Sequence, residues 1–156
     1  MTHRVSRSAV VPHSVEQMFD LVNDVESYPE FLPGCRAAQV VERREGAIKA
    51  SIALSRGGLQ KTFTTWNELD RPHRITMRLV DGPFKRLDGV WRFEADPRAP
   101  DEAPRTRISL DLEFEFASKL VALAIGPVFH QIANSLVGAF ERRAAERLTV
   151  RSVSRG

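Results

Sequence analysis

The side chains best suited to metal binding or nucleophilic chemistry are scattered along this chain. None of its histidines shows the i, i+4 spacing of a helical metal site or lies beside a Cys-x-x-Cys pair. They are His3, His13, His73 and His130. The single cysteine, Cys35, leaves no intramolecular disulfide to form, and we interpret it as a small buried hydrophobic residue. We therefore expect no metal centre.

Motifs for nucleotide or ester chemistry are also missing from the sequence. Gly57-Gly58 is not followed by the Gly-Lys-Ser/Thr of a phosphate loop, and no Gly-x-Ser-x-Gly occurs. Acids such as Asp81, Asp88 and Glu113 fall in turns or on solvent faces, so no two carboxylates are expected to share a cavity. The sequence predicts a protein with no catalytic residue and no required cofactor.

Length and composition indicate a single folding unit. The 156 residues are 42% hydrophobic and 28% charged, which predicts one domain over 1–150 and a disordered tail over 151–156. A net charge of +3 mildly favours anionic membranes or RNA, and no DNA partner is expected. The N-terminus lacks a secretory signal, and the longest apolar run, Leu120 to Phe129, is half of the roughly 20 residues that span a bilayer. We expect a cytoplasmic protein, free or held peripherally at the inner membrane.

The first third of the chain predicts one strand and two short helices. Residues 4 to 11 alternate as a strand does, and Pro12 ends it. Ser14 and Gln17 have the spacing of a capping box that begins an amphipathic helix. Asn23-Asp24 offers a second cap, and Pro33-Gly34 stops the helical segment that follows.

From residue 35 to 116 the hydrophobic period becomes two, which predicts about six antiparallel strands. The clearest alternation runs from Ile108 to Phe116, where apolar residues take turns with charged ones. An apolar stripe from Val121 to Leu148 then predicts a helix of roughly 45 Å that covers the apolar face of the sheet. Because 120–125 is apolar almost all round, this first third should be the more buried, and Pro127 should bend or break the helix.

Three segments carry a resemblance to a known family. They are Asn23 to Cys35, Lys61 to Thr65 and Leu79 to Lys85. With the order of elements, they resemble the coenzyme Q-binding family of START-like proteins in the polyketide cyclase/dehydrase superfamily, over about residues 3 to 149. The resemblance implies an α+β helix-grip fold of the START-like, Bet v-like kind. In such a fold a curved antiparallel sheet of about seven strands wraps around a long C-terminal helix, with two short helices after the first strand.

The resemblance implies two candidate functions, and other START-related proteins suggest a third. One is non-catalytic binding of a hydrophobic molecule, ubiquinone, by a carrier or chaperone that supports respiratory electron transport. Some bacterial members are described as ribosome association toxins, which implies binding to the large ribosomal subunit and a block of subunit association. The third is an aromatase/cyclase-like enzyme, which needs a polar pair inside the cavity, and Asn67 and Tyr28 are the candidates for that pair. Fold likeness alone does not choose among them.

The predicted ligand-binding residues are apolar side chains expected to face one another across a cavity between sheet and helix. Each of them, taken singly, is also consistent with simple core packing. They are Tyr28, Phe31, Phe63, Met77, Phe84, Trp91, Phe93, Phe114, Leu120, Leu123, Val128, Phe129 and Ile132. Beside them, Lys85 and Arg86 are predicted to meet lipid phosphates from a loop while Phe84 inserts into the membrane interface, or else to be ordinary solvated charges.

Overall fold

Residues 2–149, the part of the chain that the computed structural model describes, contain seven β-strands in one antiparallel sheet. The strands follow the order β1-β7-β6-β5-β4-β3-β2 across the sheet. Their bounds are β1 His3–Val11, β2 Cys35–Arg44, β3 Ala47–Arg56, β4 Leu59–Asp70, β5 Arg74–Asp81, β6 Phe84–Ala95 and β7 Thr106–Phe116. The tail predicted over 151–156 lies outside the described residues.

Two short helices follow β1 as predicted. Helix α1 spans Val15–Asn23, and Ser14 and Gln17 form both hydrogen bonds of its capping box. A 3₁₀ helix spans Val25–Glu30. The long helix α2 spans Lys119–Ala144 and ends in a π-helical turn, Ala145–Thr149. This order of elements confirms the predicted α+β helix-grip fold.

The sheet bends around α2. Its register shifts at four places, including Thr64/Thr65 between β4 and β5 and Phe84/Arg86 between β6 and β7. Such bulges bend a strand and increase its twist, which lets an open sheet close partly around a helix. The inward residues of β7 are buried beneath α2, and the Phe114 ring lies 4.8 Å from that of Phe129. The core therefore sits between the concave face of the sheet and α2.

The prediction that the first third of the long helix is the more buried was wrong. Leu120 and Leu123 are 78% and 75% exposed, whereas Phe140 and Ala144 are fully buried. Helical spacing places the two leucines on one stripe with Pro127, and that stripe faces solvent along α2. A segment that is apolar all round has no polar face to indicate which side turns outward, so the sequence could not orient it.

Helix α2 continues without interruption through Pro127, so of the predicted bend or break the break does not occur. By length and composition alone, the helical stretch from Lys119 to Leu148 would suffice to cross a membrane. The ten-residue apolar run from Leu120 to Phe129 therefore understates the apolar length of this helix. Its buried side chains, among them Ile125, Phe129 and Phe140, belong to the core shared with the sheet, so in this fold α2 serves as the core helix.

Candidate ligand cavity between the sheet and the long helix

A cavity of about 90 Å³ lies between α2 and the concave face of the sheet. Strands β3 to β7 form one wall, and α2 together with the 3₁₀ helix forms the other. An apolar cavity of about 150 Å³ holds one benzene molecule. A ligand with a six-membered ring therefore fits here only when lining side chains move. Four of them, Ile52, Phe63, Met77 and Leu136, are only partly buried, and Met77 has three rotatable side-chain bonds.

Period-two alternation explains how the sheet side of the cavity is built. Successive inward residues of β3 and β4 line it, and their neighbours point to the other face. Small side chains occur on both walls, with Ala50 on β3 and Ala133 on α2. Because alanine fills less of the space between facing elements than leucine or phenylalanine does, we attribute the gap to these positions.

Six of the thirteen predicted ligand-binding residues line this cavity. They are Tyr28, Phe63, Met77, Trp91, Phe129 and Ile132. The structure thus brings them together around one space, and their contact with a ligand stays a prediction.

Five other predicted residues pack within the protein without lining the cavity. Phe93 is fully buried with its ring 5.6 Å from that of Phe19, and the Phe31 ring lies 5.2 Å from that of Phe140. Phe114 is likewise fully buried. The remaining two, Phe84 and Val128, are buried against neighbouring side chains. These five residues therefore occupy positions of simple core packing, the alternative given above to ligand contact.

Leu120 and Leu123 do not face the sheet as predicted, because they lie on the solvent stripe of α2. The membrane prediction for Phe84 was also wrong in its geometry. Phe84 begins strand β6 rather than a loop, and it is 5% exposed with its ring stacked 5.4 Å from that of Phe116. A side chain held in this way cannot also insert into a membrane interface.

Lys85 and Arg86 are exposed, and both already form ion pairs. Lys85 lies 3.7 Å from Glu115, and Arg86 lies 2.9 Å from Asp88 and 3.4 Å from Glu113. Surface pairs of this kind contribute little and exchange readily for other partners, so they leave both side chains able to meet a phosphate. Their contact with phosphate stays a prediction.

A neutral polar pair lies inside the otherwise apolar cavity. The Thr65 hydroxyl donates to Asn67 Oδ1 at 2.7 Å, and both side chains are buried at 6% exposure. Asn67 was predicted only for the enzyme alternative, and Thr65 was not predicted as a site residue. The signal was present, because both residues share with Phe63 the strand face that turns inward.

Two further polar side chains of the cavity, Tyr28 and Cys35, are internally bonded and uncharged. The Tyr28 hydroxyl donates to the carbonyl of Val22, and burial raises the pKa of Tyr28 well above its usual value. The Cys35 thiol lies 3.7 Å from the carbonyl of Ala37, and burial raises its pKa to about 11. The thiol therefore stays protonated at neutral pH and is a poor nucleophile. Every cavity-lining residue in the described part of the chain is uncharged.

A curved antiparallel sheet that grips a long helix around a small apolar cavity defines a START-like, hydrophobic-ligand-binding fold. The model of the family described as polyketide cyclase / dehydrase and lipid transport matches residues 11–141, and the chain belongs to that family. The resemblance noted in the sequence is thereby confirmed.

Two relatives illustrate the range of the family. The chain is 47% identical over 148 residues to the ribosome association toxin RatA of Escherichia coli, covering 95% of this chain and 90% of that protein. It is 28% identical over 140 residues to the mitochondrial coenzyme Q-binding protein COQ10 homolog B of Xenopus laevis, covering 89% of this chain and 57% of that protein.

Solved structures support the fold. A START superfamily protein from Mycobacterium smegmatis matches with a TM-score of 0.72 at 21% identity, covering 92% of this chain and 98% of that one. The Zhui aromatase/cyclase from a Streptomyces species matches with a TM-score of 0.74 at 17% identity, covering 96% and 98%. At such identities these likenesses show the architecture and carry no activity over to this chain.

Proposed function

We propose that this protein binds an apolar ring compound of the ubiquinone type in the cavity between α2 and the sheet, and carries it without chemical change. The observation that carries the proposal is the uncharged, apolar cavity, in which a buried Thr65–Asn67 pair supplies a polar contact. Mostly apolar pockets with few well-placed polar groups are typical of small-molecule sites. The relative named as a coenzyme Q-binding protein supports the same class of ligand.

The energy of such binding comes from apolar burial. Each buried methylene group contributes about 0.8 kcal/mol, so one five-carbon isoprene unit contributes about 4 kcal/mol. Because the cavity measures only about 90 Å³, the ring and the start of the tail enter as the partly buried side chains Phe63, Met77 and Leu136 shift. The rest of the tail then lies toward the rim of the cavity.

A carrier of this kind has to meet the membrane that holds its ligand, and we place that contact at the start of α2. The amide of Ala117 donates to the carbonyl of Pro83 at 3.0 Å, so α2 begins beside the turn between β5 and β6. Exposed Leu120 and Leu123 follow Lys119 there, and the sequence has no acidic residue from 118 to 140. Leucines next to a lysine suit an anionic bilayer surface, with about 1 kcal/mol for each basic residue near it.

Trp91 offers a direct test because it lines the cavity. The second tryptophan, Trp66, lies on the opposite, outward face of β4, beneath the guanidinium of Arg44 at 4.7 Å. In a Trp66→Phe variant, fluorescence therefore reports Trp91 alone. We expect a short-chain benzoquinone to quench it with saturation, and organic extraction of the purified protein followed by mass spectrometry to recover a quinone. A protein that shows neither saturable quenching nor a bound quinone contradicts the proposal.

Binding to the large ribosomal subunit is the second candidate, favoured by the relative named ribosome association toxin at 47% identity. The feature of this chain that suits RNA is Trp66, whose ring lies 4.7 Å from the guanidinium of Arg44 and 5.1 Å from the ammonium of Lys49. An aromatic ring with adjacent basic groups is typical of RNA-binding surfaces. We expect co-sedimentation with large subunits that weakens with salt and with Trp66→Ala. Co-sedimentation unaffected by salt, or no effect on subunit association, contradicts this candidate.

A further inference from the structure

The side-chain amide of Asn67 has a donor that no protein group uses. Its Oδ1 accepts from the Thr65 hydroxyl at 2.7 Å, which turns Nδ2 the other way. Among residues 2–149 Nδ2 forms no hydrogen bond, and Asn67 is 6% exposed and lines the cavity. Asn23 Oδ1 is the fully enclosed side-chain polar atom without a partner among these residues, so Nδ2, which also lacks one, is reached from the cavity. Asn67 therefore presents an unused N–H to whatever occupies the cavity.

The position of Asn67 in the sheet explains why it points inward. It lies in the middle of β4, paired with Ile48 of β3 and Met77 of β5, and alternates with outward-facing Trp66 and Glu68. An aliphatic side chain at this position would pack against its neighbours without an unpaired donor. The polar pair thus lowers the stability of the inner face, which is typical of a functional position.

Most other side-chain donors that line the cavity in the described residues are engaged, and the indole Nε1–H of Trp91 is the exception, because it forms no hydrogen bond there. The hydroxyl of Thr65 donates to Asn67, the hydroxyl of Tyr28 donates to the Val22 carbonyl, and the thiol of Cys35 faces the Ala37 carbonyl. Among the described residues the cavity thus offers two neutral N–H donor groups, the amide of Asn67 and the indole of Trp91, and no cation. A carboxylate or phosphate buried here would lack a charged partner, which disfavours fatty acids and phospholipid head groups as occupants.

We propose that Asn67 Nδ2 donates a hydrogen bond to a carbonyl oxygen of the bound molecule, so that the cavity selects an uncharged ketone or quinone over a pure hydrocarbon of the same shape. This inference rests on the proposed function of the cavity as a ligand site. It assigns recognition of the polar end of the ligand to β4, and the apolar walls then hold the tail.

The test compares two ligands and two variants by isothermal titration calorimetry. The ligands are a decyl benzoquinone and an alkylbenzene with the same tail, which lacks the oxygens. Asn67→Leu removes the amide with little change in size, and Asn23→Leu, at a partly buried asparagine of α1 outside the cavity, is the matched control. We expect Asn67→Leu to weaken quinone binding about tenfold, to leave alkylbenzene binding unchanged and so to reduce the preference for the quinone by the same factor. Asn23→Leu should leave both affinities unchanged.

The outcomes separate this inference from the proposed function. If the wild-type protein binds neither compound, the cavity is not a ligand site and the proposed function fails. If it binds both equally, or if Asn67→Leu keeps the full preference for the quinone, only the role of Asn67 is overturned. Should Asn67→Leu fail to fold, infrared spectroscopy of the quinone bound to wild-type protein decides. One carbonyl band shifted to lower frequency supports the hydrogen bond, and two bands at their hydrocarbon-solvent positions overturn it.

Discussion

Filling the cavity from α2 should stabilise the protein and abolish ligand binding. Ala133 is 1% exposed and lines the cavity, so Ala133→Leu directs three further carbons into that space. At about 24 cal/mol per Å³, filling 90 Å³ is worth about 2 kcal/mol. Burial of three carbon groups at about 0.8 kcal/mol each gives a similar figure. Ordering the leucine side chain costs about 0.5–1 kcal/mol, which leaves a net gain of about 1–2 kcal/mol.

Ala139 supplies the matched control on the same helix. It is 4% exposed and does not line the cavity, so Ala139→Leu places the same three carbons where the core is already filled. Such overpacking costs about 1–3 kcal/mol. Helix propensity changes equally in both variants, because both exchange alanine for leucine inside α2. The two substitutions should therefore change stability in opposite directions.

Thermal unfolding of protein stripped of lipid by organic solvent measures both effects, since a bound ligand would raise the midpoint of the wild type. We expect a rise of about 2–8 °C for Ala133→Leu and a fall for Ala139→Leu. Quinone quenching of Trp91 should disappear in the first variant and persist in the second. If Ala133→Leu lowers the midpoint as much as Ala139→Leu does, the space beside Ala133 is filled and the reasoning from the cavity is wrong.

Three further predictions concern the turn before β2, one ion pair and the exposed start of α2. Gly34 has φ +85° and a Cβ there would lie 2.6 Å from Val128 Cγ2, whereas Gly58, with φ +87°, has no neighbouring atom within 4 Å. Both alanine substitutions cost about 1–2 kcal/mol of backbone strain. Urea unfolding should show a larger loss of stability for Gly34→Ala, because its Cβ also meets Val128. Equal losses of stability in the two variants contradict a close packing of Gly34 against α2. Arg143 hydrogen-bonds Glu30 Oε1 at 2.6 Å and lowers the pKa of Glu30, so the pair stabilises above the ordinary glutamate pKa and is lost as pH falls through the lower folded value. The unfolding midpoint of Glu30→Gln should accordingly lie below that of the wild type at neutral pH and meet it in strong acid, and a gap that persists in acid counts against the pair. The double variant Leu120→Ser, Leu123→Ser should keep a nearly unchanged unfolding midpoint and sediment less with vesicles of phosphatidylcholine and phosphatidylglycerol. The control Val10→Ser, at another exposed apolar position, should sediment with the vesicles as the wild type does. Equal vesicle binding by the wild type, the double variant and Val10→Ser argues against membrane contact at α2.

Alternation in the sequence predicted the direction of side chains well where one face of a strand is charged. In β7 the residues Ile108, Leu110 and Phe114 are fully buried, as their alternation with charged neighbours indicates. Strand β2 shows less contrast, because alanines and polar residues follow one another along this edge strand. The orientation of an individual strand can therefore be predicted from the sequence only where burial differs sharply between its two faces.

The extent of the cavity could not be predicted in the same way. Periodicity predicts which side chains point inward, but it does not predict which of them pack against another side chain and which line a cavity. Phe93 and Trp91 both point inward from β6, yet Trp91 lines the cavity and Phe93 packs against Phe19. That difference depends on the small side chains of Ala50 and Ala133, which lie on facing elements and line the same cavity. The two alanines are far apart in the sequence, and only the fold brings them together.

The polar pair in β4 makes a last prediction about stability. Thr65→Val alone removes the only hydrogen-bond partner that the side-chain amide of Asn67 has among the described residues, so it should cost about 1–3 kcal/mol in the free energy of unfolding. Replacing both partners by apolar groups of similar shape leaves no unpaired amide, so Thr65→Val with Asn67→Leu should recover most of that loss. Urea unfolding of both single variants and the double variant gives the coupling energy. Losses that simply add would mean that the two side chains act independently and that Thr65 does not orient the amide. If the double variant recovers stability but no longer discriminates between quinone and hydrocarbon, the Thr65–Asn67 pair serves ligand binding and lowers the stability of the fold.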